Sequence, residues 1–165
     1  MTKLSKNLSL KEAIKSNTAI ARGISNMPTE EEIKKLERTA KNIFQPIRQH
    51  FNLPIGVTSM FRSKALNKAL RGSGTSQHCK SEAIDMDADM FGGKCLNNEG
   101  LLVDFTNKMI FDYVKENMEY DQLIWEYGTS EEPAWVHISY KETNNRMRAL
   151  KAYKDSNNKT QYSYM

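Results

Sequence analysis

Two runs in the second half of the chain, "DQLIWEY" (121–127) and "WVHISY" (135–140), constrain the fold more than any other stretch. Both are rich in β-branched and aromatic residues, and the segment between them carries Gly128 and Pro133, so they read as a β-hairpin. Further strands are expected at 54–61 ("PIGVTSMF") and at 82–89 ("EAIDMDAD"). The second alternates apolar or small residues with acids, which puts Asp85, Asp87 and Asp89 on one face. A protein with these strands needs helices to cover one side of its sheet, and the sequence supplies them. "SLKE" (9–12) and "TEEE" (29–32) have the capping-box form. The first opens a short helix to about residue 16. After the second, Ile33, Leu36, Ala40, Ile43, Phe44, Ile47 and Phe51 recur at helical spacing, with Pro46 expected to kink or split the helix. "SKALNKALR" reads as another short helix, and a longer one is expected from about 99 to 117. "GSGTS" (72–76) and "GGKCLNNEG" (92–100) read as loops, and residues from about 150 to 165 as a polar, partly mobile tail. Helices and strands in mixed order with a C-terminal hairpin give an α+β fold: a single domain over 1–165 whose antiparallel or mixed sheet has flanking helices.

The 165 residues suffice for a real core without staples. No stretch approaches the roughly 20 apolar residues of a membrane span, so no membrane insertion is expected. The N-terminus lacks an apolar h-region and does not read as a secretory signal. Two cysteines, Cys79 and Cys95, fit free thiols in a reducing compartment. A net charge of +4 favours an anionic partner: nucleic acid, an anionic cell wall and a membrane surface all satisfy it. The chain has no zinc-finger spacing, no RNA-binding signature and no basic run interleaved with aromatics, which argues against a specific nucleic-acid partner.

Of the three histidines, His50 falls near the end of the long helix, His78 in a loop before a strand, and His137 within the second hairpin strand. His78 and Asp85, seven residues apart, join His137 as two imidazoles and one carboxylate from different elements. That is a zinc donor set, and three protein ligands leave a fourth position open, as catalytic sites do. The alternative is one surface and one core histidine with no relation to each other. Cys79 adjoins His78, but a neighbour on extended backbone points away. Asp87 or Asp89 would orient a ligand or be solvated. Trp125 and Trp135 would line a cleft or pack the hairpin.

The stretch 59–88 contains S-x-x-R-S-x-x-x-N and then S-x-H-x6-D, and the hairpin contains "WVHISY". Together they resemble the zinc D-alanyl-D-alanine carboxypeptidase family, which includes the dipeptidases of vancomycin resistance and phage endolysins and shares its fold with the Hedgehog signalling domain. "LSKNLSLKEAIKSNTA" and "FQPIRQHFNLPIGVTS" look like the small phage and prophage branch. The resemblance runs to about Arg148. It makes His78, Asp85 and His137 the zinc ligands and Arg62 the cation facing the reacting carbonyl. Ser76, with Gln77, is expected at the substrate, and Asn67 is expected to be structural. It implies a zinc metallopeptidase that hydrolyses peptidoglycan stem peptides as a D-Ala-D-Ala carboxypeptidase or an endopeptidase. Such a protein is made in the host cytoplasm and acts on the wall as a lysis protein or virion component, as a monomer or as part of a phage particle.

Two positions depart from the family pattern. Ser81 stands where the family often has glycine, which matters only if the residue takes a positive φ. Ala134 stands three before the last histidine, where many members have the general base. The remaining candidates are Glu126, Glu131 and Glu132. Glu126 is favoured because the resembling branch keeps an acid there; whether it faces His137 depends on hairpin register. With no base, the chain would instead be a catalytically inert zinc-containing structural or wall-binding protein.

Overall fold

A computed structural model describes residues 2–165. The chain begins with two short strands, β1 (Lys3–Ser5) and β2 (Leu8–Ser9), and two short helices, α1 (Leu10–Ala13) and α2 (Asn17–Arg22). Next come α3 (Glu30–Thr39), a π-helical turn (Ala40–Phe44), α4 (Gln45–Phe51), β3 (Gly56–Ser59) and α5 (Lys64–Ala69). A 3-10 turn (Gln77–Lys80) precedes β4 (Ala83–Asp87), followed by the small pair β5 (Lys94–Leu96) and β6 (Leu102–Asp104) and by α6 (Asn107–Asn117). The C-terminal third is β7 (Gln122–Glu126), β8 (Trp135–Ser139), β9 (Arg148–Lys154) and β10 (Thr160–Tyr164). No helix is long and apolar enough to cross a membrane among the described residues.

Both expected capping boxes form. Ser9 and Glu12 satisfy each other's backbone N–H at the start of α1, and Thr29 and Glu32 do so at α3. Glu30, Glu31 and Glu32 also face the positive end of the α3 dipole. Just before Pro46 the long helix is divided into α3 and α4 by the π-helical turn. That turn widens so that Gln45 N–H reaches back to Ala40 O, and Pro46, which has no N–H to place, enters the first turn of α4.

The main sheet runs β10-β9-β7-β8-β4-β3, with every neighbouring pair antiparallel except β7 and β9. Its two faces follow from the period of two. Ile84, Met86, Leu123, Trp125, Val136, Ile138 and Ala149 are buried in the main core, together with Leu36, Ile43, Phe44 and Ile47 of the long helix and Ile110, Phe111 and Val114 of α6. Each of the Leu, Ile, Val, Met and Phe side chains contributes about 1.5–3 kcal/mol by leaving water. Trp125 therefore belongs to the core, edge-on to Phe111 at 5.5 Å between centroids. The opposite face carries Asp85, His137, Ile124 and Glu126.

Further sequence expectations are corrected. The segment 92–100 is not a plain loop, nor does the helix start near 99: Lys94–Leu96 pairs with Leu102–Asp104, and α6 begins only after Thr106, whose side chain caps Met109 N–H. The polar tail is not mobile backbone. Residues 148–154 and 160–164 form a hairpin that adds two strands to the sheet and buries Ala149, Leu150 and Ala152.

Candidate metal centre and cleft

Four elements bring the chemistry together. β3 delivers the chain to Arg62, whose N–H donates to His78 O at 3.3 Å. The 3-10 turn presents His78, and Ser81 turns the chain into β4 with φ +61°. β4 carries Asp85, opposite His137 on β8, and His137 in turn is opposite Ile124 on β7. This register pairs Glu126 with Trp135, so Glu126 lies on the same face as His137.

One donor atom from each of His78, Asp85 and His137 lies within 4.8 Å of the others. All three residues are buried, with 4, 5 and 9 % exposure. Asp85 Oδ1 is 3.2 Å from His78 Nε2 and 2.9 Å from His137 Nδ1. His78 Nδ1 lies 2.8 Å from Met60 O and donates to it, which orients the ring with Nε2 toward the carboxylate. Asp85 Oδ2 accepts from Arg62 Nη2 at 3.3 Å, and Arg62 Nε donates to Ser59 Oγ at 2.9 Å. Burial alone would raise the Asp85 pKa. The charge of His78 and hydrogen bonds from His137 and His78 outweigh it and hold the carboxyl well below the usual range. Two convergent imidazoles and an ionised carboxylate, with His78 oriented by Met60 O and Asp85 by Arg62, fit a metal ion of the borderline first-row kind.

The group opens on a cleft of about 840 Å³ lined among others by Arg62, Ser76, Gln77, Glu126, Trp135 and Tyr162. Glu126 is partly buried there. Burial pushes its carboxyl up to about 7, helped by Asp85 and opposed by His137 and Arg62. Glu131 and Glu132 lie elsewhere. Glu131 is exposed in the β7–β8 loop, and Glu132 Oε1 accepts from Lys108 N at 2.9 Å at the start of α6. The loop closes tightly enough that a Cβ on Gly128, at φ +72°, would sit 2.1 Å from Glu132 O. Ala134 is exposed in this loop, its N–H bonded to Glu126 O at 2.9 Å.

The remaining candidate residues have definite places. His50 stacks on Tyr113 at the surface, 3.9 Å between centroids. Cys79 is half-buried, and desolvation raises its thiol pKa. Asp87 Oδ1 accepts from Asp89 N and Asn107 Nδ2, so it secures a turn and the start of α6. Asn67 is buried and donates to Ser73 O at 2.9 Å. Gln77 lines the cleft, but its amide Nε2 is turned into the wall, 3.0 Å from Asp121 Oδ2. Sequence reasoning passed over Asp121, Lys141 and Arg146, which form an ion cluster on the same cleft. Nothing in their spacing marks them; only the fold brings β7 beside residues 141–146.

Ser81 does take the positive φ that favours glycine. A non-glycine residue pays about 1 kcal/mol or more in this region, and the Ser81 hydroxyl is also buried without a hydrogen-bond partner. Ser81→Gly is expected to stabilise the fold by about 1 kcal/mol after the added freedom of the unfolded chain is deducted. That is a rise of roughly 2–4 °C in Tm; a lower Tm would contradict it.

Sheet, buried histidine–aspartate group and cleft together form a candidate metal-binding site. A family model described as peptidase M15 matches residues 6–98, more than half of the chain, and the protein belongs to the peptidase M15 family. The match includes Arg62, Ser76, Gln77, His78 and Asp85 and ends before Glu126 and His137. No curated protein matches the chain.

Proposed function

We propose that the protein is a zinc peptidase that hydrolyses peptide bonds of peptidoglycan stem peptides. The observation that carries this reading is the position of Glu126: a half-buried acid with a pKa near neutrality, on the same sheet face and in the same cleft as the His78–Asp85–His137 group. A general base works best when its pKa lies near the working pH. His78, Asp85 and His137 would hold the zinc, which supplies Lewis acidity to the attacking water and the scissile carbonyl. Glu126 accepts the proton of the attacking water and returns it to the leaving amine. Arg62 is fixed by Ser59 and Asp85 and keeps further N–H donors for the oxygen that gains negative charge. Ser76 contributes a hydroxyl to the cleft wall for the peptide backbone. The net charge of +4 suits an anionic wall.

The test is a digest of purified peptidoglycan by zinc-loaded protein, read by mass spectrometry beside a chelated control. New fragments that vanish on chelation are expected, and their masses identify the bond. Intact peptidoglycan from a protein carrying one zinc per chain would refute the reading.

A further inference from the structure

Beyond the metal group, one end of the cleft has a charge arrangement that hydrolysis itself does not require. Asp121 precedes β7 and is fully buried, and its N–H donates to Ser139 O at 2.7 Å. Its carboxylate collects Arg146 through Nε (2.9 Å) and Nη2, Lys141 Nζ (3.0 Å) and Gln77 Nε2 (3.0 Å). Burial would raise its pKa, but the bonds from Arg146, Lys141 and Gln77 hold it below the usual range, so it remains a fixed anion. The two cations are not used up by it. The side chains of Lys141 and Arg146 stay 29 and 40 % exposed, both line the cleft, and both keep N–H donors beyond those given to Asp121.

Beside them stands an acid of opposite use. Glu82 also lines the cleft, and Gln77 Nε2 bridges it to Asp121, 3.3 Å from Glu82 Oε2. Two acceptors on one nitrogen are at most roughly 6 Å apart. Chained through Gln77 and Asp121, Glu82 Oε2 and Arg146 Nη2 are no more than about 9 Å apart, so an ammonium and a carboxylate on one carbon can reach both.

We infer that this end of the cleft binds a zwitterionic amino-acid head group, its carboxylate on Arg146 and Lys141 and its ammonium on Glu82, with Gln77 holding the two halves in place. The inference rests on the stem-peptide reading and narrows it. Within a peptide, a free ammonium and a free carboxylate on one carbon occur together at the side-chain end of a diamino dicarboxylic acid residue, whereas lysine offers the ammonium alone. The location suits a side chain: Glu82 lies three residues before Asp85, roughly 10 Å along extended backbone, and on the opposite side from Glu126.

Calorimetric titration of the zinc-loaded protein with three stem peptides tests it: one with the diamino dicarboxylic acid, one with its side-chain carboxylate amidated, one with lysine. The first is expected to bind at least tenfold more tightly than the other two. Lys141→Gln, which leaves the Arg146–Asp121 pair in place, and Arg146→Gln are expected to erase most of the preference for carboxylate over amide. Glu82→Gln should weaken the diamino acid and lysine peptides alike. Thermal melts of each variant separate lost binding from lost fold. Equal affinity for the three peptides would overturn the head-group site while sparing the peptidase reading. Absence of binding by all three would remove both.

Discussion

Glutamine in place of Glu126 is expected to lower kcat by about 10²–10⁴-fold, the usual worth of a positioned acid–base group, while the metal-free protein gains stability above neutral pH. The two effects share one cause. The partly buried carboxyl is held near pKa 7 by desolvation, which suits it to the proposed role of base and makes it a costly anion. The unfolded chain releases this proton near the ordinary carboxylate value, whereas the folded chain keeps it to about 7. Between those values the unfolded state binds fewer protons, so stability falls as pH rises across the window, and the full cost is present by pH 8. A shift of this size corresponds to roughly 3 kcal/mol at most, and to less where solvent still reaches this partly buried group. Metal-free Glu126→Gln should therefore exceed the parent in denaturant midpoint at pH 8 and match it at pH 4. A bound dication would favour the carboxylate and shrink the gap, so the comparison belongs to chelated samples. In the loaded enzyme, kcat/KM should lose its acid limb along with its magnitude, with zinc content unchanged. Retained turnover would remove Glu126 from the mechanism and leave Glu82 as the cleft's other acid outside the metal group and the buried Asp121. Glu131 and Glu132 lie on the wrong side of the hairpin loop.

Most of the sheet was legible because its central strands have strong local signals. "EAIDMDAD" alternates, and "QLIWE" and "WVHIS" are β-branched and aromatic, so β4, β7 and β8 emerged from period and composition. The capping boxes marked the starts of α1 and α3 for the same local reason. What stayed hidden is non-local. β9, "RALKAYK", has no strand composition and is a strand because it lies parallel beside β7. The metal-type donor set was legible as residue types in order, since His78 and Asp85 share a short segment. The position of Glu126 was not, because one residue of hairpin slip would have turned it into the core, and the register is set by the Gly128 turn. The Asp121–Arg146–Lys141 cluster was illegible for a plainer reason: charged residues near a turn normally face water, and burial of Asp121 arises only when β8 and the 141–146 loop close over it.

Asp85 concentrates the largest dependence of the site on one residue. Its Oδ1 meets both imidazoles and its Oδ2 meets Arg62, so in the proposed mechanism it would be at once the anionic donor and the link to the cation facing the substrate. Two neutral imidazoles and one carboxylate leave a bound dication with a residual charge of +1 in a buried pocket, whereas without the carboxylate the full +2 is stranded there, which low dielectric penalises heavily. Zinc at a thousandfold over its Kd is expected to stabilise the native protein by about 4 kcal/mol, a Tm rise of roughly 10 °C for a chain of this size. Asp85→Asn keeps the shape and removes the charge. It should weaken zinc at least about 100-fold, so most of that rise disappears at the same free zinc, together with turnover. His50→Gln is the control, because His50 stacks on Tyr113 at the surface, away from the group, and its loss should leave the zinc-dependent rise intact. An equal zinc-dependent rise in Asp85→Asn and the parent would mean that the metal binds elsewhere. The buried His78–Asp85–His137 group would then be a hydrogen-bonded core feature, and the peptidase mechanism would lose its metal.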